Sequence, residues 1–259
     1  MNTISRTALI TGASAGIGAA FAHEFGRHGY NLVLVARREE KLGEVANRVT
    51  AAHAVEVNIM PLDLAESDAG DRLASQLSAE GIHVDALVNN AGYALNGGLL
   101  DVPFQDHLQM QQVMLTSYFE LCYRFLPGMA ENRFGRIINV SSLAAVMPAT
   151  PGSLYGAIKR YINDMSLAVD YEFRPRGIHC SAICPGFTYT EFHDVMGVRK
   201  RVSRLPKYMW QAADEVAAEG YAAVMEGRRI VVCGRFNRLW SSVMNRLPSA
   251  LQRRLVQRK

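Results

Sequence analysis

At 259 residues the chain is long enough for one large domain with a substantial core. A composition of 49% hydrophobic and 20% charged residues is that of an ordinary soluble globular protein, and no apolar run reaches the roughly 18 residues that a spanning helix needs. Net charge is +4, yet Arg228 to Lys259 holds nine basic residues and no acidic one, which leaves residues 1–227 at −5. The basic character thus belongs to the tail, and without a nucleic-acid motif beside it no bound nucleic acid is expected.

The chain starts Met1-Asn2-Thr3-Ile4-Ser5-Arg6, with no apolar leader core, and runs straight into a strand pattern; a cytoplasmic location is expected. Cys122, Cys180, Cys184 and Cys233 form no CxxC pair, and the histidines form no HExxH. Neither a disulfide nor a metal is expected.

The first predicted strand, Thr7–Thr11, leads into Thr11-Gly12-Ala13-Ser14-Ala15-Gly16-Ile17-Gly18 and a helix over Ile17–His28. Glycines at that junction let backbone approach a pyrophosphate seated on the helix N-terminus. The second strand, Asn31–Ala36, ends in Arg37-Arg38, where an NAD-preferring fold carries an acid for the ribose 2′-OH. Arginine there pairs with a 2′-phosphate, so NADP is the expected cofactor, with Arg37 ranked above Arg38 as its ligand. A helix over Glu39–Ala51 and a strand over Ala54–Pro61 deliver Asp63 to the adenine edge. After a helix over Asp68–Ala79, the strand Ala86–Asn89 exits through Asn89-Asn90-Ala91-Gly92, where Asn90 serves a ligand or locks neighbouring backbone.

The strand Arg136–Ser141 delivers the hydroxyls of Ser141 and Ser142, and the helix over Leu154–Phe173 carries Tyr155 and Lys159 four residues apart on one face. A lysine charge there favours the phenolate and draws the tyrosine below its free pKa. The strands Ile178–Cys184 and Arg229–Cys233 complete seven, and the alternation with helices predicts parallel strands joined by right-handed crossovers.

These motifs, in this order over roughly residues 6–233, make the chain resemble the short-chain dehydrogenase/reductase family. The resemblance implies a single doubly wound Rossmann-type α/β domain over residues 1–233, with a seven-stranded mostly parallel sheet. Residues 234–259 then form a basic amphipathic C-terminal extension. It implies Tyr155 as general acid/base, Lys159 as the residue that lowers its pKa and holds the nicotinamide ribose, and Ser142 as the hydrogen-bond partner of the substrate oxygen. Gly12, Ser14, Gly16, Ile17, Gly18, Arg37, Asp63 and Asn90 would hold the adenosine side of the cofactor. Ile183 to Gly186, with Pro185, and Thr190 would line the nicotinamide pocket. Subunit pairing through helices at residues 104–130 and 154–173, as a homodimer or homotetramer, is implied as well. One departure stands out: Met114 occupies the place of the family's asparagine, which helps hold a water between the lysine and solvent, and Thr116 or Ser117 is the candidate substitute.

The segment from Phe187 to Ala212 lacks periodicity but is apolar and aromatic (Phe187, Tyr189, Phe192, Val195, Met196, Tyr208, Met209, Trp210), as either a substrate pocket or core beneath a long loop. Phe236, Leu239, Trp240, Val243, Met244 and Leu247 then share one helical face before Pro248, with Leu251 and Leu255 beyond. That helix packs over the substrate opening or another subunit, lies on anionic lipid, or belongs to a disordered tail. The expected activity is NADP(H)-dependent reduction of a ketone, or oxidation of a secondary alcohol, on a small hydrophobic substrate. A long-chain 3-oxoacyl or sphingoid-type ketone reductase at a membrane is the alternative. From another class comes a catalytically idle NADP-binding regulator, for which Met114 is the only support.

Overall fold

Continuous apolar strands such as Leu32–Val35 can be buried only where helices cover both faces of a sheet, and that is the arrangement found. The computed structural model describes residues 6–149, 154–192, 197, 203, 206–248 and 251–252. Strands β1 (Thr7–Thr11), β2 (Asn31–Ala36), β3 (Val57–Pro61), β4 (Ala86–Asn89), β5 (Gly135–Val140) and β6 (Ile178–Cys184) alternate with helices α1 (Gly16–Arg27), α2 (Glu39–Ala52), α3 (Ala69–Ala79), α4 (Phe104–Gln111), α5 (Ser117–Glu131) and α6 (Tyr155–Phe173). A two-residue pair, β7 (Phe187–Thr188) and β8 (Trp210–Gln211), precedes helix α7 (Ala213–Met225), strand β9 (Ile230–Val232) and helix α8 (Arg235–Arg246).

The main sheet has seven strands in the order β3-β2-β1-β4-β5-β6-β9, and every pairing in it is parallel. The chain reverses its direction of strand addition between β1 and β4, which opens a crevice beyond their C-terminal ends. Side-chain alternation sorts the core into two layers. Ile10, Leu34 and Val88 pack with Phe21, Phe25 and Val216 on one face, and Leu9, Val33 and Leu87 pack with Leu77, Tyr118 and Ile162 on the other.

Strand β3 starts at Val57 rather than Ala54, because the residues before it are used in the approach: the Glu56 N–H donates to the Asn31 side chain at 3.0 Å. At the far end of the sheet, fully buried Asp170 accepts from Arg174 Nε (2.9 Å), Arg229 Nε (2.7 Å) and the Cys180 N–H (3.1 Å). One carboxylate thereby ties α6 to β6 and the start of β9.

Helix α8 docks through a mixed face. Its buried positions are Asn237, Ser241 and Met244, while Leu239 (66% exposed), Trp240 (42%) and Val243 (44%) face outward. The reason lies at Asn237, whose amide donates to the Cys233 carbonyl at 2.8 Å and fills the space beside Gly186 that a Cβ there would occupy. Bonded in this way, a polar residue can be buried, while Leu239, Trp240 and Val243 are left facing outward. Val195, Met196 and Leu255 lie outside the described residues.

Candidate active site

The crevice is built first from the β1–α1 turn. Gly12 and Gly16 adopt φ of 64° and 56°, a region that suits glycine. Gly18 packs so closely on the Gly12 carbonyl that a Cβ there would overlap it. Ala15 caps α1 without a side-chain bond, so the first-turn N–H groups, including that of Ile17, remain for an anion. Asn90 stabilises this turn from beneath: its amide donates to the carbonyls of Thr11 (2.9 Å) and Gly12 (3.2 Å), and its N–H donates to Thr11 Oγ1 (2.9 Å). Of its two sequence readings, the structure shows the backbone lock.

The two arginines after β2 diverge. Arg37, 74% exposed, stands 3.8 Å from Asp63, whose other oxygen accepts from the Ala65 N–H at 3.0 Å. Arg38, which the sequence ranks second, is the one that reaches the glycine turn: Nη2 donates to Ser14 Oγ at 3.1 Å and Nη1 meets Glu191 Oε2 at 3.0 Å. Lys41 adds a second cation, 3.7 Å from Glu191 Oε1.

Across the crevice, β5 ends at the paired serines, and their roles separate. Ser141 is buried and donates to the Lys159 carbonyl at 2.9 Å, a structural bond. Ser142 Oγ accepts from the Ala144 N–H at 3.1 Å, and its hydroxyl bonds the Tyr155 phenol. Tyr155 opens α6 directly beside it. Burial pushes the Tyr155 phenol up to about 12, against the pull of a hydrogen bond from Ser142.

Lys159 is only 3% exposed, and burial pulls its amine down to about 7. Its Nζ donates to the Val140 carbonyl at 2.7 Å and lies 5.7 Å from the centre of the Tyr155 ring. The tyrosine and lysine share a helix face as their spacing requires, but the expected fall in the phenol's pKa is absent. Desolvation is the largest influence on the phenol, opposed by the hydrogen bond from Ser142.

Two further residues emerge that the sequence pattern did not single out. Tyr118, fully buried, points its hydroxyl at the same Val140 carbonyl (3.5 Å), and its ring lies 5.4 Å from Lys159 Nζ. Nothing in the sequence marks it beyond an apolar helix position. Glu191 follows Thr190, whose methyl packs against Gly16, and precedes Phe192, whose ring centre lies 6.0 Å from that of Tyr155. The Pro185 carbonyl accepts from the Leu143 N–H at 2.8 Å, and Gly186 packs closely on the Asn237 amide.

Met114 sits in a π-helical turn, Gln112–Thr116, between α4 and α5. It is fully buried, with Sδ against Gly92. The two residues suggested as substitutes for the missing amide differ in placement. Ser117 is buried and gives its hydroxyl to the Val113 carbonyl at 2.7 Å, and Thr116 faces outward.

With this geometry in hand, the model of the short chain dehydrogenase family matches residues 6–199. The chain belongs to the short-chain dehydrogenases. Among these dehydrogenases it is 28% identical over 253 residues to a human very-long-chain 3-oxoacyl-CoA reductase, an alignment covering 96% of this chain and 78% of that protein. A short-chain dehydrogenase from Sphingobium yanoikuyae, solved with NADPH, superimposes with a TM-score of 0.82 at 27% identity, covering 95% and 97% of the two chains. A metagenomic short-chain oxidoreductase solved with NADP gives a TM-score of 0.71 at 31% identity, covering 88% and 96%.

Proposed function

We propose that this short-chain dehydrogenase is an NADPH-dependent reductase of hydrophobic ketones, also working in reverse on the secondary alcohols, with Tyr155 as proton donor. The observation that carries the reading is Tyr155 bonded to Ser142 with its ring centre 5.7 Å from the Lys159 amine, so that its protonated phenol stands between them. A protonated phenol suits reduction, in which the product alkoxide must receive a proton.

The residues present fit the dinucleotide. The glycine turn, whose close packing on Asn90, Ala91 and Thr190 leaves no room for Cβ atoms at Gly12, Gly16 or Gly18, accepts a pyrophosphate beside Ser14 and Ile17, and Arg38 with Ser14 offers donors to a 2′-phosphate. Asp63 borders the adenine side next to Arg37. Ile183, Pro185, Gly186 and Thr190 bound the nicotinamide pocket. When bound, the nicotinamide supplies the hydride. Ser142 orients the carbonyl oxygen with its hydroxyl, Tyr155 hands over its own proton, and Lys159 holds ribose hydroxyls and bears on the tyrosine's recharging. The relatives in solved structures that carry NADPH or NADP support the choice of cofactor.

For the substrate we favour a long-chain 3-oxoacyl thioester or a similarly bulky ketone, on the name of the human relative and the aromatic walls of the opening, where Tyr189 stacks on Trp210 at 4.8 Å. Among the described residues no helix is long and apolar enough to cross a membrane. We place the protein in the cytoplasm with peripheral membrane contact through α8, whose exposed ridge of Leu239, Trp240 and Val243 is bordered by Arg235 and Arg246. Exposed Phe104, Phe119 and Tyr123 on α4 and α5, with Tyr161 and Tyr171 on α6, support self-association on that side. An NADPH-consumption screen across 3-oxoacyl thioesters and steroid and aromatic ketones tests the activity. Oxidation with none of them would return the chain to a binding role.

A further inference from the structure

Arg38 and Lys41 present two cations to one carboxylate, Glu191, each cation meeting a different oxygen, at 3.0 and 3.7 Å. The same guanidinium holds Ser14 at 3.1 Å on the glycine turn. A guanidinium, an ammonium and a hydroxyl converging beside that turn form a site for a compact anion with several acceptor oxygens. The chain's own carboxylate is seated there.

Glu191 also lies in a strategic run of three residues. Thr190 rests on Gly16, where an added Cβ would come within 2.9 Å of its Cγ2, and the Phe192 ring leans on Tyr155 with centres 6.0 Å apart. The Phe192 N–H donates to Thr190 Oγ1 at 3.3 Å, so the run is internally braced. Three consecutive side chains therefore touch the pyrophosphate turn, the arginine beside it and the catalytic tyrosine.

We propose that Glu191 is an internal stand-in for the cofactor's 2′-phosphate, which must displace it from Arg38 and Lys41, and that Glu191 thereby sets the balance between NADPH and NADH. The proposal rests on the reading of Arg38 as the 2′-phosphate ligand. A 2′-phosphate carries more negative charge than a carboxylate and offers three terminal oxygens, so it outcompetes Glu191, but only after that carboxylate has been moved. NADH has no group that competes for Arg38 and leaves the pairing in place. The exchange happens on the segment that joins the glycine turn to Tyr155, so recognition of the phosphate is felt on the substrate side of the crevice.

The test compares wild type, Glu191→Gln and Glu191→Asp by titrating NADPH and NADH against intrinsic fluorescence, and 2′,5′-ADP and 5′-AMP by calorimetry. Glu191 is half exposed and its removal leaves no buried charge, so the variants are expected to fold. Glu191→Gln should bind NADPH and 2′,5′-ADP about three- to tenfold more tightly, the scale of relieved exposed ion pairs, with NADH and 5′-AMP changed less than twofold. Glu191→Asp, which keeps the charge, should fall between wild type and Glu191→Gln. Unchanged or weaker NADPH binding in Glu191→Gln, or an equal gain for both cofactors, would overturn the proposal. Equal affinity of the wild type for 2′,5′-ADP and 5′-AMP would remove the 2′-phosphate site itself, and this proposal with it. Discrimination between the fragments that persists unaltered in Glu191→Gln removes the stand-in alone.

Discussion

Tyr155 and Lys159 are a pair that the sequence places correctly and whose electrostatics it misjudges. Four-residue spacing guarantees a shared helix face, but it says nothing about solvent, and in the folded crevice desolvation dominates both groups. The phenol moves up to about 12 and the amine down to about 7. For the lysine the sign is definite. Its folded pKa lies below the unfolded value of 10.5, so between about pH 7 and 10.5 the unfolded chain holds a proton that the folded one does not. The stability of the ligand-free protein from this group therefore rises with pH across that window, and below pH 7 its burial is a constant penalty. Lys159→Met should be more stable than wild type at pH 7, with the gap narrowing by pH 9 in urea denaturation; a constant gap would contradict the buried charge. The arginines give a second prediction. Arg38→Ala should weaken NADPH binding by about 1.5–2 kcal/mol, the lower part of the range for hydrogen bonds to charged groups, and Arg37→Ala by less than half of that, with NADH little affected by either. A larger loss from Arg37→Ala would restore the order that the sequence suggests.

Elements were legible wherever burial leaves a continuous or periodic apolar mark. β1, β2, β4 and β6 have the limits that their apolar runs predict, because strands covered on both faces keep nearly continuous apolar interiors. The β7–β8 pair was not legible, since two-residue strands leave no period. The facing of α8 was hidden too, because Asn237 becomes a core residue only through its bond to the Cys233 carbonyl. The π-helical turn around Met114 depends on backbone hydrogen bonding that no side-chain pattern encodes. At the β1–α1 junction, Gly18→Ala would push a methyl group into the Gly12 carbonyl. A loss of about 1–3 kcal/mol in stability and weaker NADPH binding are expected, measured by thermal denaturation with and without cofactor. At the opposite end of the sheet, Asp170 feels burial that raises its pKa, yet bonds from Arg174 and Arg229 hold it below the usual value. Its contribution is present above the unfolded carboxylate pKa and is lost as pH falls through the depressed folded value. Asp170→Ala should cost about 3–5 kcal/mol at pH 7 and far less under acid conditions, followed by denaturant titration at both.

For the whole molecule, alternating strands and helices were enough to anticipate one parallel sheet clad on both faces, and the switch between β1 and β4 then fixes where the crevice must lie. The basic tail was visible as charge, but its relation to the body was not, because the exposed ridge of α8 follows from how the helix is docked. If that ridge meets anionic lipid, vesicles containing phosphatidylserine should float the full chain at low salt and should not float a variant lacking residues 234–259. Equal flotation of both would remove the membrane contact, and a change in oligomeric state on the same deletion would assign the ridge to a second subunit.

The central claim is that Tyr155 delivers the proton to a carbonyl reduced by NADPH. Its most direct measurement is turnover of the best ketone from the substrate screen by wild type and Tyr155→Phe, with NADPH affinity determined for both. The account predicts that the substitution lowers turnover by about 10²–10⁴-fold, the scale of a positioned general acid, while NADPH affinity stays within about twofold. Reduction by Tyr155→Phe at the wild-type rate would contradict it.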